Sequence, residues 1–132
     1  MVIVDTSIWI DFLKGRETSG VARLEQLLHE ETDIFITGII VQEILNGIKE
    51  KKQRSEVKKD LDRFLLIMPS LDTHIHAAEI YDGCRKKGLT IRSIVDCLIA
   101  SLAIEYDLLV LENDRDYVRI STVFPLKVDS HH

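Results

Sequence analysis

Two cysteines and two prolines in 132 residues leave little to staple or stiffen this chain. Cys84 and Cys97 are too few for a disulfide framework and too far apart for a paired metal knuckle. Each therefore reads as a small buried hydrophobe, in keeping with a reducing compartment. No uninterrupted apolar run is long enough to cross a bilayer, and the opening Met-Val-Ile-Val-Asp-Thr lacks the basic leader of a signal peptide. No membrane partner is expected, and nothing directs the chain out of the cytoplasm. A basic excess is missing too: the net charge is −5, which taken alone argues against a domain that grips phosphates. The distribution tempers that argument. Lys49 to Lys59 reads KEKKQRSEVKK, and further cations gather at Arg85, Lys86, Lys87 and Arg92, then at Arg115 and Arg119. Each cluster reads first as solvated surface. The closing Ser130-His131-His132 reads as the start of a purification tag, so those histidines carry no weight as ligands.

What the chain does have is material for a core. Hydrophobic residues make up 45% and charged residues 30%, which fits a globular protein and excludes a disordered one. The length leaves no room for two independent cores, so residues 1–132 read as a single domain.

Apolar runs alternate with helical periods along the sequence. Met1 to Val4 is a short apolar run ending at Asp5, with a helix expected directly after it. Val21 to His29 carries Val21, Leu24, Leu27 and Leu28 on one helical face. Ile34-Phe35-Ile36 reads as a strand, and Ile40, Val41, Ile44, Leu45 and Ile48 mark the next helix. A helix over Ser55 to Leu66 runs into Leu65-Leu66-Ile67-Met68, and another opens around Ala77 and ends near Gly88. Ser93 to Tyr106 leads to the clearest strand, Leu108 to Leu111, and Thr122-Val123-Phe124 is expected to be the last. Continuous apolar strands alternating with helices predict an α/β fold, a parallel sheet covered on both faces. In such folds functional groups collect beyond the carboxyl ends of the strands.

Several acids fall there. Asp5 ends the first strand; it would serve as an N-cap, but Thr6 and Ser7 are available for capping and leave it free for chemistry. Glu43 sits at the margin of an apolar helical face, where a solvated charge would be unremarkable. Asp96 lies in a helix that is apolar almost all round, and an ionised carboxylate there is costly unless paired or bound to a metal. Ser93 followed by Asp96 also has capping-box spacing, so both roles stay open. Asp114 follows the Leu108 to Leu111 strand within Glu112-Asn113-Asp114-Arg115-Asp116-Tyr117, where an acidic turn is the plain alternative and Asp116 a close rival. If these acids converge, their repulsion calls for a cation, and oxygen-only ligands suit Mg²⁺ or Mn²⁺ rather than Zn²⁺.

Met-Val-Ile-Val-Asp-Thr-Ser-Ile-Trp-Ile-Asp-Phe-Leu at the start, Glu43 on a helix after a short strand, Ser-Ile-Val-Asp at 93 to 96 and Leu-Glu-Asn-Asp-Arg-Asp-Tyr at 111 to 117 together resemble a PIN-domain protein. More narrowly they resemble the VapC toxins of toxin-antitoxin pairs. The likeness runs in family order from residue 1 to 117; any single motif would be weak, and the ordered set is specific. It implies a three-layer αβα fold with a central, mostly parallel sheet. It also implies hydrolysis of RNA with Mg²⁺ or Mn²⁺, homodimerisation, and neutralisation by a small cognate antitoxin. Asp5, Glu43 and Asp96 match family acidic positions. For the fourth, both Asp114 and Asp116 fit, and Asp114 is chosen; Tyr117 stands where Phe is common. Thr6 or Ser7 would orient water or a phosphate oxygen, or cap the helix. A haloacid-dehalogenase-like hydrolase would need a second acid where Ser7 stands, and a receiver domain an acid where the chain has Met68-Pro69-Ser70. A housekeeping PIN nuclease or a non-catalytic binding module would use the same fold.

Overall fold

The computed structural model describes residues 1–129 and residue 131. Five strands, β1 (Val2–Val4), β2 (Ile34–Ile36), β3 (Leu65–Leu66), β4 (Leu109–Leu111) and β5 (Lys127–Asp129), form one parallel sheet in the order β3-β2-β1-β4-β5. Seven helices surround it among the described residues: α1 (Thr6–Leu13), α2 (Ser19–His29), α3 (Gly38–Asn46), α4 (Lys51–Leu61), α5 (Leu71–Lys86), α6 (Ile94–Glu105) and α7 (Arg115–Ser121). β1 is central and buried along its whole length, which is why it reads Val-Ile-Val without polar alternation. α1 packs on α2 and α3, and α3 on α4; α5 packs on α6 and α7. The result is the expected α/β, three-layer αβα arrangement.

The strand order fixes where chemistry can collect. From β1 the chain steps outward through β2 to β3, then returns across the sheet to place β4 on the other side of β1. The connections leaving β1 and β4 therefore diverge, and a crevice opens beyond the carboxyl ends of these two strands. Their alignment is tight: Val4 pairs with Leu111, and the Asp5 N–H extends the ladder by donating to the Leu111 carbonyl at 2.9 Å.

Three boundaries differ from the expectation, each for a local reason. α4 spans Lys51–Leu61, so most of the basic run lies inside a helix that buries only Val57 and Leu61. α5 starts six residues before Ala77, at Leu71, because Ser70 and Thr73 form a reciprocal capping box that satisfies two orphan amides. Thr122 to Phe124 is a turn and not a strand. Thr122 Oγ1 bonds back to the Arg119 carbonyl at 2.6 Å, Pro125 has no N–H for a ladder, and β5 begins only at Lys127. Phe124 packs instead on α5, so closely that a Cβ at Gly83 would stand 2.6 Å from its Cζ. Cys84 and Cys97 are free and buried, as expected.

Candidate active site

Asp5 sits where β1 ends, and its extended backbone (φ −63°, ψ 147°) turns the chain into α1. Contrary to the expectation that Thr6 and Ser7 would relieve it, Asp5 is itself the N-cap. Its Oδ2 accepts from the Ser7 N–H at 3.4 Å and more firmly from Ser7 Oγ at 2.8 Å, while Oδ1 accepts from the Tyr117 hydroxyl at 3.0 Å. Capping holds this carboxylate in place and does not remove it from the crevice, since Asp5, Ser7, Arg92, Asn113, Asp114 and Arg115 line an open cleft of about 490 Å³.

Asp96 lies in the first turn of α6 and is only 7% exposed. The capping box with Ser93 does not form, because the Ser93 side chain makes no cap bond. Asp96 Oδ2 is buried without a hydrogen-bond partner. Burial, a hydrogen bond shared with the Asp114 side chain, and the charges of Asp5 and Asp114 push the Asp96 carboxyl up to about 8. The nearby Tyr117 hydroxyl works in the other direction, favouring the anion.

Asp114 and Asp116 divide the work that the sequence left open between them. Asp114 is the N-cap of α7; its side chain accepts from the Asp116 N–H at 3.0 Å, and it is partly exposed in the cleft. Asp116 is fully buried, with Oδ2 accepting from the Arg92 N–H at 3.1 Å and Oδ1 from Arg119 Nη1 at 2.6 Å. One carboxylate oxygen each from Asp96, Asp114 and Asp116 lie within 4.8 Å of one another. Asp5 joins this group through its charge on Asp96 and through Tyr117. Glu43 is not among the three clustered acids. It is half-buried on α3 and accepts at 2.9 Å from the hydroxyl of Thr6, the residue after Asp5.

These residues fit a hard divalent cation. The donors are oxygens throughout, one buried oxygen has no protein partner, and an ion held by Asp96 and Asp114 would offset the repulsion between them. Asp116, wholly buried and already neutralised by the Arg119 guanidinium, is the poorest of the acids for this purpose.

The sequence model of the family described as PIN domain matches residues 2–123. The chain belongs to the PIN-domain family. It is 33% identical over 136 residues to VapC ribonuclease Mb1587 of Mycobacterium bovis and to Ribonuclease VapC11 of Mycobacterium tuberculosis, in each case over 98% of both chains. Among solved structures, this PIN domain resembles VapBC2 of Rickettsia felis bound to a promoter DNA fragment (TM-score 0.76, 24% identity, 98% of both chains). It also resembles a toxin-antitoxin complex from Klebsiella pneumoniae (TM-score 0.77, 20% identity, 100% of this chain and 98% of that one). These two likenesses speak for the fold.

Two features of the PIN site escaped the sequence reading. Tyr117 was visible as a replacement for Phe, yet nothing in its spacing told that the hydroxyl reaches Asp5. The grip of Thr6 on Glu43 spans 37 positions, and no local pattern encodes it.

Proposed function

We propose that this PIN domain is a divalent-metal-dependent endoribonuclease, the toxin of a toxin-antitoxin pair of the VapBC kind, with Asp5, Glu43, Asp96 and Asp114 as its catalytic and metal-holding acids. Asp96 carries this reading: a buried carboxylate with an unpartnered oxygen, opposed by two further acids at the switch point of the sheet, is costly for the fold alone and sensible if a cation completes it. The oxygen-only donor set favours Mg²⁺ or Mn²⁺. Bound there, such an ion supplies charge neutralisation at the phosphate and activation of water.

The chain's own residues supply orientation. Ser7 and Tyr117 hold Asp5 by opposite oxygens, and Thr6 fixes Glu43. Asp114 borders the cleft at the start of α7, where Arg92 and Arg115 also line it and offer positive charge to an RNA strand passing over four acids. Purified protein should cleave structured RNA with Mg²⁺ or Mn²⁺ and lose that activity in EDTA. Asp5→Asn and Asp96→Asn should each lower the rate by about a thousandfold or more, roughly 4 kcal/mol of barrier, with the fold intact by circular dichroism. Undiminished cleavage by either variant would sink the assignment. Induced expression should arrest growth, and Asp5→Asn should relieve the arrest; a harmless wild type would favour a housekeeping nuclease or a binding module.

The partners follow the same reading: RNA as substrate, a small antitoxin, and a second copy of the chain. An apolar groove of about 790 Å³ runs between α3, α5 and α6, lined by Ile39, Met68, Tyr81 and Leu98 among others. Ile94 on its border is 79% exposed and Met68 56%. A patch of this kind is uncommon on a monomer. Light scattering should give a dimer mass for the wild type and a monomer mass for Ile94→Asp; a monomeric wild type would remove the homodimer from the reading. No helix among the described residues is long and apolar enough to cross a membrane.

A further inference from the structure

Tyr117 is wholly buried in α7, and its ring alone would satisfy a core position there. The hydroxyl needs a separate account. It donates its one proton to Asp5 Oδ1 at 3.0 Å, across 112 positions of the chain. Asp5 Oδ2 is meanwhile taken by Ser7. The Asp5 carboxylate is thus gripped at both oxygens, and any rotation of it breaks one set of bonds.

We propose that Tyr117 is a positioning residue for the cation site, its hydroxyl bracing Asp5 from the buried side so that the carboxylate's remaining lone pairs face the cleft. This rests on the divalent-cation reading above. A Phe at this position fills the same volume and leaves Asp5 held from one side only. Groups that orient metal ligands from behind commonly tune affinity by about 10–100-fold, whereas a merely space-filling tyrosine would leave affinity untouched. Asp5 is tethered also by Ser7, so the lower end of that range applies.

The test titrates Mn²⁺ into wild type and Tyr117→Phe and reads the free ion by electron paramagnetic resonance, with thermal melting of the metal-free proteins as the check on the fold. Tyr117→Phe should melt as a folded protein and bind Mn²⁺ about tenfold more weakly, with the loss in cleavage falling on kcat more than on KM. A folded variant that binds Mn²⁺ within about twofold of wild type, or more tightly, overturns the proposal. Should the variant not fold, 3-fluorotyrosine-labelled wild type decides instead: the fluorine resonance of the buried tyrosine must shift as Mg²⁺ fills the site, and the absence of any shift overturns the proposal equally. Wild type that neither binds Mn²⁺ nor cleaves RNA would sink the functional reading, and this inference with it. Wild type that does both, alongside an unaffected Tyr117→Phe, sinks the role of Tyr117 alone.

Discussion

The first turns of α6 and α7 each bury an aspartate, and the two are treated in opposite ways. Asp96 on α6 is hemmed in by Asp5 and Asp114, and one of its oxygens has no protein partner. Asp116 on α7 receives the Arg92 N–H on one oxygen and the Arg119 guanidinium on the other. Residue type, helical position and burial are nearly matched, so the difference lies in countercharge. A buried acid with its donors supplied ties elements together, here α7 to the segment before α6. A buried acid left short of them stores repulsion that a fold has no reason to keep unless something binds. The pair thereby separates a carboxylate compensated within the fold from one proposed to hold a cation, where three clustered oxygens alone would count Asp96, Asp114 and Asp116 alike.

The largest expected effect tests that separation through stability. Asp116→Asn discards the charge that answers Arg119 and turns a donor toward one of two donors already present. With hydrogen bonds to a charged group contributing about 1.5–3 kcal/mol each, the loss should be about 2–3 kcal/mol; it stays at that level because Arg119 is partly open to water. Asp96→Asn removes repulsion and should leave the metal-free protein as stable as wild type or more so. Urea denaturation in EDTA at mildly alkaline pH, where Asp96 is charged, measures both. Equal losses, or the reverse order, would erase the distinction between the two turns.

How far this contrast could be read beforehand differs between the two turns. Alternating apolar runs and helical periods were enough for the α/β class, because parallel strands buried on both faces carry no competing pattern, as Val2–Val4 illustrates. Asp96 stood out for a physical reason, a charge in a helix apolar all round, and its burial bears that out. Asp114 and Asp116 could not be told apart in sequence, since two residues' separation at a helix start places one carboxyl in the cleft and the other against Arg92, and the deciding partner lies 24 positions away. The Asp5 cap and the Tyr117 hydroxyl were hidden likewise, the latter by a contact across 112 positions. The last strand lies later than the apolar run at Thr122 to Phe124 for a local reason: Pro125 postpones the ladder to Lys127 because it has no N–H to give.

A more gradual effect sharpens the contrast through pH. The folded chain holds the Asp96 proton up to about 8 against an ordinary 3.8, so across that interval the folded state binds more protons than the unfolded one, and stability must fall as pH rises. The contribution is fully present below the unfolded value, declines at no more than about 1.4 kcal/mol per pH unit for one proton, and is gone once pH has passed the folded value. Metal-free wild type should therefore lose stability relative to Asp96→Asn between about pH 4 and 8, and the gap should stop growing above that. Saturating Mn²⁺ should flatten the decline, because the cation takes the place of the proton and its binding releases that proton. A wild type whose stability runs parallel to that of Asp96→Asn across the interval would mean that Asp96 is already ionised and compensated in the folded chain. The first turn of α6 would then be no different in kind from the first turn of α7.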